Sequence, residues 1–114
     1  MNNCIFCKIS TGEISAEKVY EDDQVVAFRD LNPQAPVHVL VIPRRHIATL
    51  NDLTTVDEAL VGHMSHVAAR IAGDEGLAER GYRTVMNCNA EGGQTVFHIH
   101  LHLLGGRQMG WSPG

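Results

Sequence analysis

The sequence predicts an α+β fold, an antiparallel sheet of five strands with one long helix laid across a face. Two observations predict it. The first is one apolar stripe at three- and four-residue spacing, Leu60, Val61, Met64, Val67, Ala68, Ile71 and Ala72, the mark of an amphipathic helix. The second is a set of short β-rich runs at 19–21, 25–30, 37–42, 82–88 and 97–104, which follow one another without the strand–helix alternation of a doubly wound sheet. A chain of 114 residues has room for a single core, so residues 1–114 are read as one domain.

Taken in order, residues 1–12 hold a short N-terminal turn, Ile5 to Ser10, ending near Gly12. Two strands, 19–21 and 25–30, are joined by the acidic turn Asp22-Asp23. Pro33 and Pro36 keep the next stretch out of a central strand. The run 37–42 follows, with Val37, Val39 and Val41 on one face, His38, Leu40 and Ile42 on the other, and Pro43 as its stop. Thr55 and Glu58 match a capping box at the start of the helix, and Gly76 suits its C′ position. Residues 82–88 form a further strand, a Gly-containing loop runs from Asn89 to Thr95, and 107–114 form a tail carrying the only Trp, Trp111. The helix stripe is wider than one small sheet requires, with Val61 and Met64 flanking the main row.

The composition excludes several classes. A formal net charge of −4 argues against nonspecific nucleic-acid binding, which needs a positive field. No apolar run approaches the length of a membrane span, and no signal-like segment opens the sequence, so no membrane partner and a cytoplasmic location are expected. Three cysteines, an odd number, agree with a reducing compartment. Cys88 reads as a small buried hydrophobe.

The chemistry concentrates in Phe97-His98-Ile99-His100-Leu101-His102-Leu103-Leu104. Read as a strand, its alternation sends Phe97, Ile99, Leu101 and Leu103 to the core and aligns His98, His100 and His102 on the other face, about 6.5–7 Å apart. Histidine titrates near neutrality and is uncommon, so three on one face point either to metal ligation or to nucleophilic and acid–base chemistry on a phosphate or acyl group. Cys4-Ile5-Phe6-Cys7 is a C-x-x-C pair with no strand before it, which favours half a zinc site over a thioredoxin-like motif. His63 and His66 are assigned no chemistry.

The run His98 to Leu104, preceded by Gly92-Gly93-Gln94-Thr95-Val96-Phe97, resembles the histidine triad (HIT) motif. The segments Gly105-Gly106-Arg107-Gln108-Met109, Leu31 to His38, Tyr20-Glu21-Asp22-Asp23 and Val41-Ile42-Pro43 resemble its Hint branch, so the likeness spans nearly the whole chain. It implies a homodimer whose helices pack across a twofold axis and whose sheets join, with the tail against the neighbouring subunit. It also implies binding of purine nucleotides of the AMP or GMP type. The activity it implies is hydrolysis of adenosine 5′-phosphoramidates or aminoacyl-adenylate-like substrates to AMP through a nucleotidyl-histidine intermediate.

Carried over residue by residue, the resemblance makes His100 the nucleophile, with a backbone carbonyl expected to fix its tautomer. His102 is expected to hold the phosphate or protonate the leaving group, and His38 is the partner histidine. Gly93 would let backbone amides approach phosphate, with Gln94 and the Thr95 hydroxyl as added donors. Thr95 stands where many members have Ser; the hydroxyl survives. Asp30 would accept from the ribose hydroxyls, although a turn role also explains it, and Asn87 would contact phosphate or its loop. Ile5, Phe6, Ile9, Phe28, Leu31 and Leu40 would form an apolar slot for the base, residues that core packing would equally use.

His46 and His98 would join Cys4 and Cys7 in a Cys2His2 structural zinc site, an arrangement that some triad-superfamily proteins carry. No organic cofactor is expected. Two other readings stand beside the phosphoramidase: a non-catalytic nucleotide-binding regulatory protein using the same pocket, and a metal-dependent hydrolase with His98, His100 and His102 on one ion.

Overall fold

The computed structural model describes residues 3–114. Among them, strands β1 (Lys18–Glu21), β2 (Val25–Arg29), β3 (Val37–Pro43), β4 (Arg83–Val85) and β5 (Leu101–Gly105) form one sheet in the spatial order β1-β2-β3-β5-β4. Every pairing is antiparallel. The helices are α1 (Ile5–Thr11), α2 (Glu58–Asp74) and the single turn α3 (Asn89–Gly92). The fold is the expected α+β sheet with one long helix.

Parity along the strands separates two apolar layers. Val25, Ala27, Val39, Val41, Leu101 and Leu103 face α2, whose Met64, Val67, Ala68, Ile71 and Ala72 fill the larger core. Burying each large side chain there contributes roughly 1.5–3 kcal/mol. Val26, Phe28, Leu40 and Ile42 face the other way and are covered by Phe6 and Ile9 of α1. The N-terminal turn is therefore a second lid on the sheet, and both faces are occupied. Met64, expected at the flank of the stripe, is wholly buried in its own chain, so it is not surplus surface for a second copy.

Helix α2 starts differently from expectation. Two 3-10 turns, Leu50–Asp52 and Thr55–Asp57, precede it. Asp57 Oδ2 accepts from the Thr54 N–H at 2.9 Å, so the capping box is Thr54 with Asp57 rather than Thr55 with Glu58. The shorter carboxylate suits the tighter turn. At the other end Gly76, at φ 78°, lets the Leu77 N–H reach back to the Ala72 carbonyl at 2.8 Å, the expected glycine stop.

The strand expected over 97–104 enters the ladder only at Leu101. Just before it the Ile99 N–H leaves the sheet to donate to the Ile47 carbonyl at 2.8 Å. The chain bends at 96–98, which turns Phe97 out to 48% exposure instead of into the core. The alternation survives this bend, since Ile99, Leu101 and Leu103 are all buried against α2. The strand expected over 82–88 shortens to Arg83–Val85, and the loop after it contains α3, closed by Gly93 at φ 87°. Cys88 caps that turn half-buried rather than fully buried. Pro43 is the last residue of β3, paired with Val25, rather than lying beyond the strand. Among the described residues no helix is long and apolar enough to cross a membrane.

Candidate active site

The face of the sheet under α1 carries four histidines. His38 of β3 and His102 of β5 lie on the same face because His102 is registered opposite Leu40, two residues along from His38. His98 and His100 extend the same row before the ladder begins. His98, His100 and His38 are buried and His102 is half-buried. Phe6 of α1 presents its ring edgewise to both His98 and His100, with centroids 6.0 and 5.0 Å apart.

Backbone partners assign the ring nitrogens. His100 Nδ1–H donates to the His98 carbonyl at 2.8 Å, which leaves the lone pair on Nε2, as the expected carbonyl acceptor requires. His98 Nε2–H donates to the Pro43 carbonyl at 2.7 Å, so its lone pair is on Nδ1. The Gln34 N–H donates to His38 Nδ1 at 3.0 Å, so the His38 proton is on Nε2. That proton points to His102 Nδ1 at 2.9 Å, and the remaining His102 proton is on Nε2. Burial lowers the pKa of His38 and of His102, the latter to about 4, helped by the neighbouring His100 and His38 rings, beside which a charge on His102 is disfavoured. Both rings are therefore neutral at pH 7. The row presents one bare imidazole nitrogen, on His100, beside one imidazole N–H, on His102, with ring centroids 5.0 Å apart.

The first histidine faces elsewhere. His98 Nδ1 lies 3.3 Å from Cys4 Sγ, 3.4 Å from Cys7 Sγ and 3.2 Å from His46 Nδ1. Cys7 Sγ is 3.4 Å from His46 Nδ1. The four donor atoms fall within 4.8 Å of one another. A tetrahedral ion with bonds of about 2.0 Å to nitrogen and about 2.3 Å to sulfur separates its ligands by roughly 3.3–3.5 Å along such edges. The donor set fits a closed Cys2His2 zinc site, and the His98 Nε2–H bond to Pro43 is the outer contact that aims its lone pair inward. Cys4 caps α1 and Cys7 lies on it, so the cluster staples that helix to the sheet.

A second group, Asp30, His38 and His102, also brings ligand atoms within 4.8 Å. It does not suit an ion. Coordination through His38 Nε2 would move its proton to Nδ1, where it would oppose the Gln34 N–H. The three-histidine metal reading fails likewise, because the free nitrogens of His98 and His100 diverge, one into the cysteine cluster and one into the cleft.

A cleft of about 580 Å³ opens over His38, His100 and His102. Its walls include Ile5, Phe6, Ile9, Phe28, Leu31, Leu40, Asp30, Gly93 and Thr95. The structure thus gathers most of the anticipated residues round one cavity, with Leu31 fully exposed at its rim. Asp30 Oδ1 accepts from the Asn32 N–H at 2.8 Å, and its Oδ2 sits 3.4 Å from His38 Nε2. Two expected contributors stand apart. The Gln94 amide is buried and donates to the Ala48 and Val96 carbonyls at 2.8 and 3.1 Å while accepting from the Asn89 N–H, so it shapes the glycine loop and has no donor left for a ligand. Asn87 lies behind Gly92, outside the cleft wall. Gln34, Pro43 and Ser15 escaped the sequence reading. The first two act through backbone atoms, and Ser15 lines the cleft beside Ala16 and Glu17 with no motif to mark it.

The HIT domain model matches residues 11–109. A purine nucleoside phosphoramidase of Escherichia coli is 56% identical over 106 residues, covering 93% of this chain and 89% of that protein. A HIT-like protein of Synechococcus elongatus is 56% identical over 96% of both chains. The crystal structure of a HIT family hydrolase from Legionella pneumophila superposes with a TM-score of 0.97 at 57% identity, covering 98% of this chain and all of that one. A histidine triad protein from Clostridium difficile gives 0.93 at 45% identity over 96% of each chain.

Proposed function

The chain belongs to the HIT-domain family, and from that premise we propose that it is a purine nucleotide-binding hydrolase which cleaves adenosine 5′-phosphoramidates or aminoacyl-adenylate-like substrates to AMP. The observation that carries the reading is the pairing of opposite ring functions in one cleft, a bare Nε2 on His100 and an N–H on His102. A lone pair next to a proton donor is what displacement of an amine from phosphorus requires.

In the first step His100 Nε2 attacks phosphorus and the P–N bond breaks. The leaving nitrogen takes the proton from His102 Nε2, and the negative charge left on the His102 ring, which still accepts the His38 Nε2–H, balances the positive charge that develops on the nucleotidylated His100 ring. Its Nδ1–H bond to the His98 carbonyl stabilises that charge. In the second step water attacks phosphorus, returns a proton to His102 Nε2 and releases AMP with His100 restored. Gly93 and Thr95 line the cleft where the phosphoryl oxygens would lie. The Thr95 hydroxyl would donate there, while the Gly93 N–H donates to the Ala90 carbonyl at 3.0 Å and the glycine serves to let a phosphate approach. The Asp30 carboxylate would accept from the ribose hydroxyls, and the apolar wall from Ile5 to Leu40 would take a purine.

Cys4, Cys7, His46 and His98 would hold a structural zinc, whose contribution when bound is a closed cross-link between α1 and the sheet. The reading extends to a homodimer in the cytoplasm. The unpaired edge of β4 supports a dimer, because a second copy would remove an exposed sheet edge.

The test is turnover of an adenosine 5′-phosphoramidate by wild type and by His100→Ala, each with and without chelator. Wild type should release AMP, and His100→Ala should lose several orders of magnitude in kcat while still binding AMP. Near-normal kcat in His100→Ala sinks the mechanism. A wild type that binds AMP without turnover would instead mark a regulatory binding protein.

A further inference from the structure

His38 touches neither the phosphorus nor the ribose in the mechanism above, yet the proton on His102 depends on it. A neutral imidazole pair joined through one hydrogen bond has two arrangements. In one, His38 Nε2–H donates to His102 Nδ1 and the His102 proton faces the cleft on Nε2. In the other, both protons shift, His102 Nδ1–H donates back to His38, and a bare lone pair faces the cleft. Only the first can protonate a leaving amine.

Two groups at opposite ends of the His38 ring select it. The Gln34 N–H donates to Nδ1 at 3.0 Å, and Asp30 Oδ2 lies 3.4 Å from Nε2. The Gln34 peptide is itself tied down. Its carbonyl accepts from Arg107 Nε at 3.1 Å, and its side-chain amide donates to the Asn32 carbonyl at 3.0 Å. Arg107 reaches that carbonyl because Gly106, at φ 93°, brings the end of β5 against the Pro36 ring, where a Cβ would meet Pro36 Cβ at 2.8 Å.

We propose that the main-chain N–H of Gln34, held in place by Arg107, is a positioning group for catalysis that locks His38 in its Nε2–H form and so keeps the transferable proton on His102 Nε2. The assignment rests on the phosphoramidase reading for its kinetic consequence, but its structural content is a proton position that is measured directly. The proton moves from His102 Nε2 to the leaving nitrogen and is replaced from the attacking water, so the lock itself is not consumed.

Gln34→Pro removes the N–H, whereas Gln34→Ala keeps it. Imidazole nitrogen NMR of the full chain should show protonated Nε2 on His38 and His102 in wild type and in Gln34→Ala. A mixture of protonated Nδ1 and Nε2 should appear in Gln34→Pro. In single turnover, Gln34→Pro should lose about tenfold toward an alkyl phosphoramidate of AMP, a fraction of the roughly 10²–10⁴-fold a general acid supplies. Toward an aryl ester of AMP with an acidic phenol, which leaves without a proton, the loss should stay within about twofold by the same argument.

Should Gln34→Pro not fold, Arg107→Ala carries the test, with the same selectivity and about a threefold loss toward the alkyl substrate. An unchanged tautomer pattern in Gln34→Pro, or equal losses toward both substrates in either variant, overturns the proposal. A wild type that turns over neither substrate overturns the phosphoramidase reading alone, because the nitrogen spectra still report whether the lock exists.

Discussion

Neutral His102 makes the fold sensitive to acid, and the size of the effect follows from its surroundings. Its folded pKa is lowered to about 4, chiefly by burial, against about 6.5 in an unfolded chain. Between those values the unfolded state binds more protons, so stability rises with pH across the window. The contribution is intact above about pH 6.5 and is lost progressively as pH falls toward about 4. Integrating from about pH 7.5 to about pH 5 gives a loss of about 2 kcal/mol, a ceiling for a half-buried ring.

The other buried histidines and any bound metal add their own pH dependence, so the assay must be differential. His102→Gln keeps an acceptor for the His38 Nε2–H and has no titration of its own. Urea unfolding of wild type and His102→Gln at about pH 5 and about pH 7.5 should show wild type losing up to about 2 kcal/mol more over that interval. Equal pH slopes would mean that His102 is not held neutral, and the proton assignment along the histidine row would fall with it.

Three further outcomes are expected. Protein purified without added metal should carry about one zinc per chain, and Cys4→Ser with Cys7→Ser should abolish it and lower Tm; absence of metal after gentle purification refutes the site. With Asp30 intact, a 2′-deoxy substrate should lose roughly tenfold in kcat/KM, and Asp30→Ala should erase that preference, measured by steady-state kinetics on both sugars. Light scattering at micromolar concentration should give a dimer, and deleting residues 110–114 should alter kinetics toward bulky leaving groups more than Tm, since Trp111 is exposed and held by Arg83 alone among the described residues; a monomer, or unchanged kinetics after deletion, removes the tail and the β4 edge from the reading.

The parts of this molecule that periodicity controls were legible in advance. Alternation separated Val39 and Val41 from His38 and Leu40, and Leu101 and Leu103 from His102; the ladder reproduces that division, and the packing of α2 on the valine and leucine side came from the structure. Spacing by three and four found α2. Boundaries were less visible, because they turn on single hydrogen bonds. The Ile99 N–H goes to Ile47 rather than to the ladder, and Asp57 rather than Glu58 closes the helix start.

The division of labour among the histidines was hidden for a deeper reason. It is written in backbone groups, the carbonyls of His98 and Pro43 and the amide of Gln34, which every residue possesses and no motif records. Their effect is that chemically identical side chains present different ring nitrogens to different surroundings. His98 is the joint among them. Its ring turns to Cys4, Cys7 and His46, while its carbonyl holds the Nδ1–H of His100. An ion that fixes the His98 ring would also fix the peptide on which the proposed nucleophile hangs. The alternation that brings every second residue to one face thus sets the cysteine cluster and the cleft on neighbouring residues of one segment, joined by the His98 carbonyl.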